Sequence, residues 1–219
     1  MELRRFRLPI VKIIAMNTAP NLVLVGPMGA GKTSIGRRLA ERFGLQFVDA
    51  DREVEAHTGV SVSTIFDCEG EAGFRERERA ALTELLNGTD TLIATGGGAV
   101  LDDGNRALMH TRGFVVHLHV GVEEQLRRLA RDRTRPLLQR EDREEALRAL
   151  AEIREPLYVD VADLRFDTHG YAPGEAAGTL ARLLTECWQR GVSAPAFDEP
   201  SDEVRQCADP AADAAGRQA

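Results

Sequence analysis

Short apolar runs alternate with amphipathic stretches along most of the chain. Runs rich in branched apolar residues predict five buried strands, at residues 21–25, 45–48, 91–94, 114–120 and 164–167. Apolar residues at helical spacing predict helices between and after them, at residues 32–43, 51–57, 62–68, 71–86, 102–111, 123–131, 143–158 and 174–189. Because strands and helices alternate, we predict an α/β fold, a three-layer sandwich with a central five-stranded parallel sheet.

A glycine-rich segment follows the first predicted strand. Residues 26–33 have the sequence GPMGAGKT, which matches the pattern GxxxxGK[ST]. The backbone N–H groups of such a loop, together with the positive end of the next helix, bind the phosphates of a nucleoside triphosphate. Lys32 is expected to contact the β- and γ-phosphates, and the Thr33 hydroxyl to bind Mg²⁺. The alternative is a turn without a ligand, but a strand before the loop and a helix after it favour phosphate binding.

Carboxylates and glycines follow the next two predicted strands. Asp49 and Asp51 come just after the second strand, and Gly96, Gly97 and Gly98 follow the third. Ligands of parallel sheets bind at this edge, where an aspartate can orient an acceptor hydroxyl and take its proton. Asp51 could instead only cap the next helix, and its residue type leaves both interpretations open. The glycines favour a close approach of the backbone to a ligand over a simple turn.

Arginines are concentrated around one charged segment, residues 132–142, which lacks periodicity and predicts a mobile loop. Those in and around it include Arg128, Arg131, Arg133 and Arg135. In a chain with a net charge of −7, this concentration favours contact with phosphates over a merely solvated face. Arg75 and Arg154 also lie in charged helical surroundings, and taken alone each is typical of a surface residue.

The composition argues against several other classes of protein. The acidic charge argues against a nucleic-acid binder, and no apolar stretch approaches the roughly 18 residues that span a membrane. The chain has three cysteines, Cys68, Cys187 and Cys207. Their odd number and the lack of a CxxC spacing indicate isolated thiols and a cytoplasmic location. No cysteine–histidine group has zinc-ligand spacing, and we expect His117 and His119, on a predicted strand, to be structural.

The two ends of the chain differ from its middle. Residues 191–219 are rich in Ala, Pro, Asp and Gln and predict a disordered tail. Residues 1–19 predict an N-terminal extension, because Pro9 and Lys12 interrupt the apolar part that an export signal would need. A single domain is therefore expected at residues 20–190.

Six segments, taken together, resemble the shikimate kinase family in their order and spacing: GPMGAGKTS, FVDADREVE, IFDCEGEAGFRERE, ATGGGAV, RPLL and REPLYVDVAD. The resemblance covers about residues 21–188. It implies a P-loop NTPase type of fold with the strand order 2-3-1-4-5 and a lid at about 132–142. It also implies that ATP phosphorylates the 3-hydroxyl of shikimate, with one Mg²⁺, in chorismate and aromatic amino-acid synthesis, and that the chain is a monomer.

The resemblance assigns roles on the side of shikimate. Asp51 would bind the shikimate hydroxyls and act as the base. Arg75 and Arg154 would bind the carboxylate of shikimate, and Gly97 would contact the same molecule. Arginine suits this task because its planar guanidinium matches a carboxylate.

The resemblance also assigns roles on the side of ATP. Lys32 would act in catalysis, Arg135 would reach the transferred phosphate from the lid, and Arg128 would stack on adenine beside residues 167–173. Asp49 would help to hold Mg²⁺ through water. The phosphates would be bound by the residues of the loop and the start of the helix: Gly29, Ala30, Gly31, Lys32, Thr33 and Ser34.

Two other classes share the phosphate loop. Another small P-loop kinase, such as a gluconate kinase, should lack the three glycines and the paired arginines at these spacings. A regulatory nucleotide-binding protein without catalysis would have no need of Asp51.

Overall fold

The computed structural model describes residues 17–130 and 142–190. Within these ranges the chain forms five strands: β1 Asn21–Val25, β2 Gln46–Asp49, β3 Thr91–Ala94, β4 Gly113–His119 and β5 Leu164–Asp167. The helices of the same ranges are α1 Lys32–Phe43, α2 Ala50–Thr58, α3 Val62–Asn87, α4 Asp103–Arg112, α5 Val122–Arg128, α6 Arg143–Val161 and α7 Pro173–Cys187, with a short 3₁₀ turn at Ala99–Leu101.

All pairs in the sheet are parallel, and the strand order is β2-β3-β1-β4-β5. The strand β1 lies at the centre, where Leu22 pairs with Leu92 of β3 and with Phe114 of β4. Every residue of β1 is buried, as expected for a strand covered on both faces. The predicted fold class and strand order are confirmed.

Two apolar clusters cover the opposite faces of the sheet. Because side chains alternate along a strand, Leu22 and Leu24 of β1 point to one face, and Val23 and Val25 point to the other. On the first face they pack with residues of α1 and α7, including Leu39 and Leu180. The second face is covered by side chains of α3, α4 and α6, which include Leu82, Met109 and Tyr158. The result is the predicted three-layer sandwich.

The predicted elements differ from the observed ones mainly at their ends. The element α3 consists of two helical segments that meet at Gly70, whose backbone is not helical, with φ 71° and ψ −171°. Gly70 lies in the gap between the helices predicted at 62–68 and 71–86. The helix α6 continues to Val161 although it contains Pro156. The turn at Ala99–Leu101 was not predicted, since three residues are too few to show a period.

The expected lid, together with Arg135, lies outside the described residues, except that Asp142 directly precedes α6. Most of the expected N-terminal extension and all of the expected tail lie outside them as well. Within the described part, Asn17 pairs with Trp188, and the Trp188 indole donates a hydrogen bond to the Ala19 carbonyl at 2.9 Å. Residues 17–19 therefore pack against the end of α7. None of the helices described is long and apolar enough to cross a membrane.

The packing of α1 on the sheet predicts a large difference between two substitutions in this helix. Leu39 is fully buried, whereas Glu41 is exposed. Leu39→Ala should lower the free energy of unfolding by about 2–5 kcal/mol, because it leaves a cavity under the sheet. Glu41→Ala should change it by less than about 0.5 kcal/mol. Urea unfolding followed by circular dichroism measures both, and equal effects would contradict the described packing.

Candidate active site

The loop after β1 turns sharply against the neighbouring strand. Gly26 has a φ of 138°, and a Cβ atom there would overlap the carbonyl oxygen of Leu118 in β4. Gly31 has a φ of 93° and lies at the N-cap of α1. Only glycine adopts such backbone angles readily. These turns place the loop at the carboxyl end of β1, directly before the positive end of α1.

Two polar side chains at the end of the loop, those of Lys32 and Thr33, have defined partners. The Lys32 ammonium donates hydrogen bonds to the carbonyl oxygens of Gly26, at 2.6 Å, and Pro27, at 2.9 Å. The Thr33 hydroxyl donates to the Asp49 carboxylate at 3.0 Å. The fold thus places the end of β2 beside the start of α1. A hydroxyl and a carboxylate side by side are oxygen ligands of the type that Mg²⁺ prefers, so these residues fit the ion.

A cavity of about 510 Å³ extends from this loop along the carboxyl edge of the sheet. It brings together most of the residues predicted from the sequence: Gly29, Ala30, Gly31, Lys32, Thr33, Ser34, Asp49, Asp51, Gly97, Arg128 and Arg154. One end of the cavity has the phosphate-binding loop, and the other has Asp51, Gly97 and Arg154. It is therefore large enough and polar enough for two small ligands that meet in the middle.

Arg75 does not line this cavity but lies against its wall, with its guanidinium packed closely against Gly98. It donates hydrogen bonds to Glu78 at 2.7 Å and to Glu71 at 3.0 Å. Glu78 is only 1% exposed, and burial raises the pKa of its carboxyl. The Glu78 contact holds the Arg75 guanidinium at the edge of the cavity.

Gly96 is flanked by two carboxylates. A Cβ atom at Gly96 would lie 2.7 Å from an oxygen of Asp51 and 2.7 Å from an oxygen of Glu78. The residue must therefore lack a side chain for both groups to approach the end of β3. This arrangement favours the functional interpretation of Asp51 over the capping one, since Asp51 lies within α2 and the N-cap position is held by Asp49.

Arg154 and Tyr158 of α6 approach Gly97 from the opposite side. The Tyr158 hydroxyl donates a hydrogen bond to the Gly97 carbonyl, and burial raises the pKa of Tyr158 to about 12, so the group stays a donor. A Cβ atom at Gly97 would lie 3.5 Å from a terminal nitrogen of Arg154. The Nε atom of Arg154 is buried without a hydrogen-bond partner in the described structure. An anion in the cavity is the kind of group that would satisfy this arginine.

Arg128 joins the phosphate loop to the segment after β5. Its guanidinium donates hydrogen bonds to the carbonyl oxygens of Gly29, at 3.0 Å, and Thr168, at 2.7 Å. It also pairs with Glu124 at 2.7 Å, and hydrogen bonds from Arg127 and Arg128 lower the pKa of Glu124 to about 2. Thr168 lines the same cavity. Arg128 therefore lies between the loop and the residues expected to face adenine.

Three residues of this site were not singled out from the sequence. Glu78 stands three residues after Arg75 in α3, a spacing that places both on one side of a helix and could have suggested the pair. Tyr158 and Thr168 were quoted only as parts of longer segments. Their partners, Gly97 and Arg128, are distant in the sequence, and no local pattern predicts these contacts.

The parallel sheet, the loop at the end of its central strand and the two-ended cavity define a P-loop kinase of small metabolites. A sequence model of shikimate kinase matches residues 28–185. The chain belongs to the shikimate kinase family.

The individual relatives agree with this assignment. The shikimate kinase of Stenotrophomonas maltophilia strain K279a is 58% identical over 175 residues, covering 80% of this chain and 97% of that protein. The shikimate kinase of Xanthomonas oryzae pv. oryzae strain PXO99A is 58% identical over 181 residues, covering 83% of this chain and all of that protein. A structure of Acinetobacter baumannii shikimate kinase in complex with shikimate is 47% identical and has a TM-score of 0.74, covering 77% of this chain and 94% of that one.

The turn at Gly26 predicts a specific loss of nucleotide binding. Gly26→Ala should weaken ATP binding by at least about tenfold, because the new Cβ pushes the loop away from Leu118. Gly44→Ala is the matched control: Gly44 also has a positive φ, of 63°, but a Cβ there meets nothing within 4 Å. The control should lose about 1–2 kcal/mol of stability and no ATP affinity. Calorimetric titration with ATP would separate the two, and unchanged binding by Gly26→Ala would contradict the described contact.

Proposed function

We propose that ATP and shikimate occupy the two ends of this cavity, and that the γ-phosphate of ATP passes between them. As a member of its family, the chain is an ATP-dependent kinase that acts on shikimate and gives shikimate 3-phosphate and ADP. This reaction belongs to chorismate and aromatic amino-acid synthesis. The observation that carries the site assignment is the single cavity of about 510 Å³ lined by both Lys32 and Asp51.

The loop end of the cavity would bind ATP. The backbone N–H groups of Gly29, Ala30 and Gly31 and the positive end of α1 would hold the phosphates. The Lys32 ammonium contacts the carbonyl oxygens of Gly26 and Pro27 in the structure. When ATP binds, it would turn to the β- and γ-phosphates.

Mg²⁺ would be held by the Thr33 hydroxyl directly and by the Asp49 carboxylate through water. Their contact of 3.0 Å supports this assignment. When bound, the ion neutralises charge on the phosphates and helps to align the γ-phosphate with its acceptor.

The other end of the cavity would bind shikimate through opposite kinds of chemistry. Arg154 and Arg75 would face the carboxylate, while Asp51 would accept hydrogen bonds from hydroxyls and take the proton of the attacking one. Gly97 would let the ring of shikimate approach the backbone. Removing one partner of such a buried charge pair costs about 2–5 kcal/mol, which is enough to distinguish shikimate from an uncharged polyol.

Glu78 would serve this end of the site without contacting shikimate. Its carboxylate holds Arg75 at 2.7 Å, and its charge lies close to Asp51. The two negative groups are balanced by Arg75 and Arg154. We therefore assign Glu78 a positioning role.

On the adenine side, we propose that Arg128 stacks on the base, in the part of the cavity that Thr168 and Tyr171 also line. The contacts of Arg128 with Gly29 and Thr168 support its place there. The roles of Arg135 and of the expected lid at 132–142 concern residues outside the described structure and stay predictions from the sequence. We also propose that the chain acts as a monomer in the cytoplasm, on small-molecule substrates alone.

The activity test uses the full chain with Mg²⁺ and ATP. ADP should form rapidly when shikimate is added and only at the background rate with gluconate, because gluconate has a carboxylate but lacks the ring that Gly97 would accommodate. A coupled assay for ADP measures both rates. Equal turnover with the two acceptors, or none with shikimate, would sink the proposal.

The assignment of the base is tested separately. Asp51→Asn keeps the shape of the side chain but cannot take a proton, so kcat should fall by about 10²–10⁴-fold with little change in ATP affinity. Glu53→Gln is the matched control on the same helix, since Glu53 pairs with His57 away from the cavity. Its kcat should equal that of the unchanged chain. Full turnover by Asp51→Asn would remove Asp51 from the role of base.

A further inference from the structure

A second polar cluster lies behind the phosphate-binding loop, formed by His117, His119 and Glu155. The two histidines are separated by one residue in β4, so both side chains point to the same face of the sheet. Glu155 reaches them from α6. One nitrogen of each histidine and one oxygen of Glu155 all lie within 4.8 Å of one another.

The separations within this cluster resemble those around a bound metal ion. Nε2 of His117 lies 3.6 Å from one oxygen of Glu155, and Nδ1 of His119 lies 3.2 Å from the other. Around a tetrahedral zinc ion with bonds of about 2.0–2.2 Å, neighbouring ligand atoms lie about 3.3–3.6 Å apart. Since the three ligand atoms lie within 4.8 Å of one another, they would have to move somewhat closer together to bind such an ion.

The hydrogen bonding of the cluster is incomplete. His117 is fully buried, and neither of its ring nitrogens has a hydrogen-bond partner among the described residues. Polar atoms buried in this way are rare because losing contact with water without a substitute is costly. His117 is stacked on Tyr158 with 5.0 Å between the ring centres, which fixes the plane of its ring.

We propose that His117, His119 and Glu155 bind a divalent transition-metal ion, for which Zn²⁺ is the best match. Two imidazoles and one carboxylate are a common set of three zinc ligands, and such sites keep a fourth position open. His119 and Glu155 line a separate cavity of about 200 Å³, from which water could complete the coordination. The nitrogen ligands distinguish this site from the oxygen site at Thr33, which suits Mg²⁺.

The competing explanation is a cluster of charges without a metal. Arg165 donates a hydrogen bond to Glu155 at 3.2 Å, and its positive charge opposes a cation nearby. However, 32% of the Arg165 side chain is exposed. It can therefore turn towards solvent when an ion binds to Glu155 in its place. The pairing of Arg165 with Glu155 also provides no hydrogen bond to His117, which has none within the described part of the chain, whereas a metal ion would occupy one of its ring nitrogens.

A bound ion would connect the two halves of the active site. Leu118, between the two histidines, is the residue against which Gly26 turns, and Arg154 directly precedes Glu155. The metal would therefore fix α6 relative to the phosphate loop. We expect it to act as a structural ion that raises the thermal stability of the chain.

The experiment uses the full, untagged chain, treated with a chelator and free of nucleotide. Zn²⁺ titration by calorimetry should show one ion per chain, and excess Mg²⁺ should not displace it. Co²⁺ should give the visible absorption of tetrahedral nitrogen and oxygen coordination, without the intense near-ultraviolet band that sulfur ligands produce. Zn²⁺ should also raise the melting temperature.

Variants assign the ion to its ligands. His119→Gln and Glu155→Gln should each weaken Zn²⁺ binding by at least about tenfold, whereas His119→Cys should keep the ion and add the sulfur-to-cobalt band. His57→Gln is the matched control, because exposed His57 also lies beside a carboxylate, Glu53, at 3.2 Å. Circular dichroism checks that each variant is folded. Absence of Zn²⁺ binding, a sulfur band in the unchanged chain, or equal affinity in His119→Gln and His57→Gln would overturn the proposal.

Discussion

The close approach of Gly26 to the carbonyl oxygen of Leu118 determines where the rest of the site can stand. It forces the chain to turn at the end of β1, so that the next residues face the carboxyl edge of the sheet. The strand β1 lies between β3 and β4. The connections that follow the neighbouring strands β1 and β3 lead to opposite faces of the sheet, so a crevice opens at this point. The loop, the start of α1 and the residues after β2 and β3 all meet in that crevice. A side chain at Gly26 would separate them.

The acceptor end of the cavity depends on charges that balance one another. Asp51 and Glu78 flank Gly96, and Arg75 pairs with Glu78 at 2.7 Å. Glu78 alone would be costly to bury as an anion, and burial does raise the pKa of its carboxyl. With Arg75 beside it, the buried carboxylate is paired, and the Arg75 guanidinium is held against Gly98 at the wall of the cavity. Selectivity for a carboxylated acceptor would then follow from an arrangement that is already in place before the acceptor binds.

The sequence predicted the central strands of this fold well because β1 and β3 are fully buried and are bounded by polar residues, proline or glycine. Both β1 and β5 were placed with their observed ends, and the strand order followed from the resemblance. The break in α3 at Gly70 lies in the gap between the two predicted helices, whereas the short turn after Gly98 has no period to detect. Glu78 was missed for another reason. A glutamate among charged helical neighbours is typical of a solvated face, and only the tertiary packing of α3 buries it.

The helix α6 shows why such contacts could not be read from local patterns. Arg154 faces the cavity, Tyr158 donates to the Gly97 carbonyl, and Glu155 lies beside His117 and His119. These residues are three or four positions apart or adjacent, so one side of the helix serves both the active site and the histidine cluster. From the sequence, His117 and His119 were expected to be structural. The proposed metal site agrees with that expectation if the ion fixes α6. The apolar burial of α6 is modest. Its polar contacts therefore do more to position Arg154, because each contact has a defined direction.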